Sequence, residues 1–209
     1  MSRNQKIIFS FIILFIGILV TFSEYFNSKK IEVYDYVNEL YYKETVELEE
    51  VTEEIMNNEE EVVEDTKTYE LKEEKVNYIG YLSIPKIDLK KGFTSKEDKN
   101  NTVSKNIEIL SSSDYPDKEL GNVIIASHSG NSSISFFKKL YLLQVDDLAY
   151  IEYNNRIYTY KISNIYTVEK TGSVEVIRNK DVSTLTLITC TKGDNTTQTV
   201  YIADLISVE

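Results

Sequence analysis

The chain of 209 residues contains a single cysteine, Cys190, and a single histidine, His128. One thiol cannot form an intrachain disulfide, so no disulfide framework supports the fold. This is compatible with a cytosolic protein and also with an exported protein that keeps its thiol free. Glycine and proline are scarce as well, with seven and two residues, and this composition indicates nothing about function.

Positive charge is in deficit. There are 23 Lys and Arg residues against 34 Asp and Glu residues, which gives a formal net charge of −11 at pH 7. Such a chain repels a polyanion, so nucleic acid is excluded as a partner. The length allows one domain of moderate size with extensions, and no internal repeat is present.

Charged residues are absent from residues 7–22, which form a continuous apolar run. With its flank through Phe26 this run reaches the roughly 20 residues that a bilayer-spanning helix needs. Arg3 and Lys6 precede it, which favours a cytoplasmic N-terminus. No small-residue cleavage site follows, so we expect residues 1–30 to be an uncleaved, single-pass membrane anchor with the rest of the chain outside the cell. A cleaved signal peptide and a buried core helix are the alternatives.

Residues 31–76 are dominated by glutamate. A segment of this kind buries too little apolar surface to offset its chain entropy, so we expect it to be extended or transiently helical. The simplest role is an acidic stalk that holds a domain away from the membrane.

From residue 77 the pattern changes to short apolar or alternating runs, which predict β-strands. Asn154 and Asn155 separate two of these runs and predict the turn of a β-hairpin. The predicted strands cover residues 78–84, 122–127, 147–153, 156–162, 184–190 and 199–206. Short helices are predicted at residues 101–110 and 135–142. Many strands with few helices indicate a mainly β protein, with residues 77–209 forming a closed barrel of about eight strands.

Both unique residues stand where strands end. His128 follows the apolar run that begins at Asn122, and Cys190 ends the run that begins at Thr184. A thiol and an imidazole at two strand ends are a candidate nucleophile and acid/base pair. A buried structural cysteine and a structural histidine are the alternatives.

Three motifs in order resemble those of sortases, the membrane-anchored cysteine transpeptidases of Gram-positive bacteria. Residues 79–89, IGYLSIPKIDL, are similar to their opening strand. Residues 121–128, GNVIIASH, resemble the G-N-x-x-I-A-G-H segment, and residues 186–190, TLITC, match T-L-x-T-C. Ser127 stands where a glycine is usual and is small enough to be tolerated.

The resemblance implies a reaction and its partners. Cys190 would attack a peptide bond in an LPxTG-like sorting signal and form a thioacyl-enzyme, while His128 would serve as acid and base. The substrates would be secreted proteins with a C-terminal sorting signal, and the acceptor an amine of a peptidoglycan precursor or a pilin lysine. Ser127, Thr189 and Thr191 are expected to contact the substrate. No cofactor or metal is expected, because Glu169 and Glu175 alone are a poor calcium signal.

The oxyanion site is where the sequence departs from the family. The position of the family's arginine, five residues before Ala203, is occupied here by Gln198. Gln198 is the candidate donor, and the backbone N–H of Thr191 is another. Lys192, Arg156 and Arg178 are the cations that could replace the arginine.

Two alternative functions remain. One is a protein of this fold with weak or lost catalysis that binds sorting signals or envelope partners, and the other is a hydrolase that uses the same acyl-enzyme.

Overall fold

A computed structural model of the chain describes residues 3–55 and 76–209. These residues belong to two compact units, of which the first ends at Val37 and the second begins at Asn38. The segment between the two described ranges contains part of the predicted acidic stalk, so that part of the prediction lies outside the described residues.

Helix α1 spans Arg3–Ile55 and therefore includes the first part of the predicted stalk. Among the residues that the structure describes, no helix is both long and apolar enough to pass through a bilayer. In the second unit, the ring of Tyr42 packs edge-on against Tyr81 at a centroid distance of 5.2 Å. Glu39 forms an ion pair with Lys90.

Within residues 76–209 the chain forms one eight-stranded sheet that curls into a nearly closed barrel, which confirms the predicted fold class. The strands are β1 Gly80–Ile84, β2 Leu89–Phe93, β3 Glu108–Ile109, β4 Asn122–Ala126, β5 Leu148–Tyr153, β6 Arg156–Glu169, β7 Thr184–Cys190 and β8 Thr197–Val208. Their order in the sheet is β2-β1-β5-β6-β8-β7-β4-β3, and the β4–β7 pair is parallel. Two 3-10 turns, Pro85–Ile87 and Leu140–Leu142, connect them.

The sheet has an apolar cluster on each face. The main core fills the barrel, and strands β7 and β8 contribute Leu185, Leu187, Tyr201 and Ala203 to it. Because side chains alternate along a strand, the residues between these point outward. There a smaller second cluster forms from Ile124, Ile188, Val200 and Ile202.

The predicted hairpin is present. Asn154 and Asn155 both adopt positive φ, at 49° and 55°, as a two-residue turn of the primed type requires. The strand that follows is twice as long as predicted, because β6 continues to Glu169 alongside β8.

The short helices predicted at residues 101–110 and 135–142 are wrong. The first segment is a series of turns followed by the short strand β3, and the side chain of Asn101 bonds to the backbone of that strand. Its amide donates to Ile109 O (2.9 Å), and its side-chain oxygen accepts from Ile109 N–H (2.8 Å). Such side-chain bonds compete with helix formation. The second segment contains only the 3-10 turn Leu140–Leu142.

Candidate active site

Motif residues fix the register between β4 and β7. The side-chain oxygen of Asn122, which is buried, accepts hydrogen bonds from the hydroxyls of Thr184 (3.0 Å) and Thr186 (2.9 Å). Both donors belong to β7, so the start of β4 is held against the start of β7. A buried polar group that is fully bonded in this way specifies one alignment of the strands.

The same register brings the two unique residues to one edge of the sheet. Ala126 of β4 pairs with Ile188 of β7, and His128 and Cys190 each follow two residues later. Cys190 is half-buried and His128 is exposed. The His128 carbonyl accepts the N–H of Phe137 at 3.0 Å, which fixes the backbone that carries the imidazole.

Two further hydrogen bonds tie the strand ends together. Thr189 Oγ1 donates to Ser127 O at 2.8 Å, and Ser129 Oγ donates to Cys190 O at 2.7 Å. Ser127 itself is buried, and among the described residues its hydroxyl has no hydrogen-bond partner. Ser127 therefore lies beneath the site, and its backbone rather than its side chain makes the contact with Thr189.

Gln198 is the cross-strand partner of Cys190 in the β7–β8 pair. Directly paired residues of antiparallel strands carry their side chains on the same face. This is the outer face, because Gln198 lies two and four residues before Val200 and Ile202, which belong to the second cluster, and every second residue of a strand lies on the same face. The predicted oxyanion donor thus has its side chain on the face of Cys190.

An outer cleft of about 320 Å³ lies over the second cluster and reaches Gln198. Its floor is apolar, and one wall comes from the connection between β6 and β7. That wall is held in place by Tyr166, whose hydroxyl donates to Glu175 O (2.9 Å) and accepts from Ile177 N–H (2.8 Å). The lining residues are Leu110, Ser112, Ile124, Ala126, Lys170, Gly172, Val174, Val176, Ile188 and Gln198.

An end cleft of about 360 Å³ opens beside Cys190 at the end of the barrel. Cys190, Thr189, Thr191, Ser129 and Lys192 are among the residues that line it. Two of the three residues predicted to contact substrate therefore border the same space as the thiol.

The backbone N–H of Thr191 is engaged in the sheet. It donates to Thr197 O at 3.1 Å and so continues the pairing of β7 with β8. In this structure the N–H that was predicted as a second oxyanion donor is therefore bonded within the sheet.

The cations considered from sequence are engaged elsewhere. Lys192 Nζ lies 3.3 Å from the ring centroid of Tyr141. Arg178 donates to the carbonyls of Asn179, Val182 and Leu120. Arg156 begins β6 at the hairpin.

Sequence reasoning missed Lys170, whose Nζ lies 3.5 Å from Cys190 Sγ. Its position follows β6 directly. Because β6 was expected to end near residue 162, nothing suggested that Lys170 would approach β7.

The loop between β7 and β8 is pinned by Asp194. Its carboxylate accepts bonds from the Thr196 hydroxyl (2.6 Å), the Thr196 N–H (2.8 Å) and the Thr197 hydroxyl (2.7 Å). These bonds hold the pKa of Asp194 below its usual range, and the bond from the Thr196 hydroxyl contributes most. The loop next to Cys190 therefore has a defined conformation.

Within residues 3–55 and 76–209, no group of three His, Cys, Asp or Glu side chains is arranged to hold a metal ion.

Comparison with known proteins agrees with this geometry. The family model described as the sortase domain matches residues 82–206, so the chain belongs to the sortase family. Members of this family are cysteine transpeptidases, and the family and fold together support a transpeptidase-type function. No curated protein sequence matches the chain significantly.

Solved structures show the same fold. Sortase C1 of Streptococcus agalactiae has a TM-score of 0.54 and 28% identity, over 64% of this chain and 70% of its own. Sortase C of Streptococcus pneumoniae has a TM-score of 0.55 and 23% identity, over 62% and 67%. The sortase D5 transpeptidase of Clostridium perfringens has a TM-score of 0.53 and 24% identity, over 63% and 80%.

Proposed function

We propose that this protein cleaves an LPxTG-like sorting signal through a thioacyl-enzyme on Cys190 and joins the acyl group to an amine of the cell envelope. The observation that carries the proposal is the position of Cys190. It lies at the end of β7, on the edge that also carries His128, opposite Gln198 and beside the end cleft. In the proposed reaction a nucleophile, a proton-transfer group and a neutral donor would act from this one end of the sheet.

The reaction has two balanced halves. The Cys190 thiolate attacks the scissile carbonyl carbon, a C–S bond forms, and the carbonyl electron pair moves to oxygen. When this pair returns, the C–N bond breaks and the leaving amine takes a proton from His128. An acceptor amine then attacks the thioester, gives its proton to His128 and releases the thiolate.

The two clefts suit the two substrates. The outer cleft has an apolar floor of Ile124, Ile188 and Ala126, which fits the apolar residues of a sorting peptide that approaches along the sheet. The end cleft is bordered by hydroxyl groups of Ser129 and Thr191, which can bind an amine acceptor. In this arrangement Cys190 stands between donor and acceptor.

The N-terminal apolar run supports a location. We propose that residues 7–22 anchor the chain in the cell membrane, with the catalytic barrel outside. Fractionation of cells that express the full chain tests this. Recovery in the membrane fraction, with the barrel open to added protease in intact cells, is expected. Recovery in the soluble fraction contradicts it.

A peptide panel tests the function. The full chain is incubated with LPxTG-like peptides, with and without an amine acceptor, and products and acyl-enzyme are read by mass spectrometry. We expect a thioester on Cys190 and an amide product that depends on the acceptor, and neither with Cys190→Ala. Cleavage that ignores the acceptor indicates a hydrolase. Binding without any adduct indicates a protein that only recognises signals.

A further inference from the structure

Lys170 is held at the reactive edge by its backbone. Its N–H donates to Thr196 O at 2.8 Å, which extends the β6–β8 pairing one step past Glu169. The side chain is exposed, yet Nζ lies 3.5 Å from Cys190 Sγ, within hydrogen-bonding distance of sulfur. The backbone of Lys170 is therefore fixed, and its cationic side chain reaches the thiol.

The sheet explains why this lysine reaches the sulfur. Val168, Gln198 and Cys190 are successive partners across β6, β8 and β7, so their side chains share the outer face. Lys170 is two residues beyond Val168 and therefore points to the same face. β6 and β7 lie two strand spacings apart, or about 10 Å, and a four-carbon stem that leans across β8 covers most of that distance.

A comparison of the possible sources of positive charge at Cys190 also favours Lys170. Gln198 is the cross-strand neighbour of Cys190 but is neutral. Lys192 lies over the Tyr141 ring, and Arg178 is bonded to three backbone carbonyls. In the described part of the chain, Lys170 is the cation with a hydrogen bond to Sγ.

We propose that Lys170 is the cationic catalytic residue of this site, a role that rests on the function proposed above. Before attack, its ammonium group stabilises the sulfur as thiolate. As the C–S bond forms, negative charge passes from sulfur to the carbonyl oxygen one bond away, and the same ammonium donates an N–H to it. Lys170 keeps its protons throughout, while Gln198 supplies a second, neutral donor.

Single-turnover acylation of Cys190 by a sorting peptide tests the role. Loss of one oxyanion donor costs roughly a hundred- to a thousand-fold in rate. The Gln side chain is neutral and one bond shorter than Lys, so Lys170→Gln removes both the charge and the reach, and because Lys170 is exposed we expect about a hundred-fold loss. Peptide affinity should change little, so the loss should appear in kcat rather than KM. Lys161→Gln is the matched control, because it removes the same charge from an exposed position of β6, the strand that Lys170 directly follows, and should leave the rate unchanged.

Charge-preserving variants separate a catalytic role from a structural one. Lys170→Arg should keep most of the rate. Moving the charge across the sheet, in the double variant Lys170→Gln with Gln198→Arg, should recover at least about tenfold over Lys170→Gln, since both positions face the sulfur. If Lys170→Arg is as slow as Lys170→Gln and the double variant recovers nothing, the charge is irrelevant and the proposal is overturned.

Alkylation of Cys190 by iodoacetamide needs no sorting peptide and therefore distinguishes the two proposals. An exposed ionic contact is worth a few tenths to about 1 kcal/mol, so Lys170→Gln should be alkylated about two- to fivefold more slowly than wild type at neutral pH. Equal alkylation rates overturn the role of Lys170 whatever the peptides do. If wild type forms no acyl-enzyme with any peptide but alkylation still slows in Lys170→Gln, the proposed function fails and the contact between Lys170 and the thiol stands.

Discussion

The two faces of strands β7 and β8 both carry buried apolar residues, but they differ in how open they are to solvent. Inside the barrel, Leu187 and Tyr201 belong to the large, buried main core. Outside, Ile188 and Val200 belong to a cluster of four buried residues under an open cleft, and Cys190 and Gln198 continue that face to the edge. Each of these strands thus has one side buried in the main core and another that carries the proposed site.

This separation has a physical cause. Alternation sends neighbouring residues to opposite faces, so a substitution on one face leaves the other almost untouched. A cleft that binds an extended peptide needs apolar floor residues that water can reach, whereas a core needs residues that water cannot. The comparison predicts that activity and stability can be changed independently within a few residues.

The largest expected effect lies on the chemical side. His128→Ala should slow acyl transfer by about 10²–10⁴, the usual contribution of general acid–base catalysis, because proton transfer to the leaving amine is lost. The unfolding temperature should stay near that of wild type, since the His128 side chain is exposed. Steady-state rates and thermal unfolding measured on one preparation check both statements. A destabilised His128→Ala protein would break the separation.

The sharpest test of the two faces compares adjacent residues of β7. Leu187→Ala should lower the free energy of unfolding by about 2–5 kcal/mol, because it leaves a cavity in the main core. Ile188→Ala should fall at the low end of that range, because the open cleft can fill with water, but it should weaken peptide binding. Denaturant unfolding and peptide titration provide the two numbers. Equal destabilisation by both would mean that the outer cluster is as much a core as the inner one.

Acid should act on stability through a group at the far end of β4. The pKa of Asp114 is lowered, chiefly because its carboxylate accepts the Asn122 N–H at 3.0 Å and also because Lys118 lies 3.3 Å away. Since the folded-state pKa lies below the unfolded value of about 3.9, the carboxylate adds stability above about pH 4. That stability is lost as the pH falls through the folded-state pKa.

Asp114→Asn can still accept the Asn122 N–H but does not titrate. Its unfolding temperature should therefore fall less steeply than that of wild type below about pH 4, while the two proteins differ little in slope near neutral pH. Thermal unfolding across this range is the measurement. Parallel curves throughout would assign the acid sensitivity to other carboxylates.

The smallest effect is expected at Ser127, which directly follows β4. Its buried hydroxyl has no partner among the described residues, and a buried unsatisfied polar group costs about 1–3 kcal/mol. Ser127→Ala should therefore be neutral or up to about 1 kcal/mol more stable, since the backbone carbonyl that Thr189 uses is retained. Clear destabilisation would show that the hydroxyl is bonded in solution.

The sequence predicted those parts of the structure that depend on local pattern. The bounds of β7 match the predicted residues 184–190, because an uninterrupted apolar and threonine run ends at a polar loop. The turn at Asn154 was recognisable because asparagine tolerates positive φ. The sequence also placed His128 and Cys190 at strand ends, and the parallel pairing of β4 with β7 brings those two ends side by side.

What the sequence did not reveal depends on long-range contacts. Asn101 sits in a segment with helical spacing, but its side chain bonds to Ile109 and prevents a helix. Lys170 has no motif of its own. It approaches Cys190 only because β6 pairs with β8 along its whole length, and that length depends on the partner strand rather than on local propensity.

The parallel pairing of β4 and β7 has a consequence for how the proposed activity would arise during folding. Thr189 and Ser127, which bond to each other beside the reactive groups, are 62 residues apart in the chain. Closing so long a segment costs entropy before any contact repays it, so this pairing is expected among the slower events of folding. Until it occurs, the thiol and the imidazole belong to separate parts of the chain. Thioester formation would therefore report the fraction of molecules that have completed their topology, and a nascent chain would carry a cysteine without a catalytic partner.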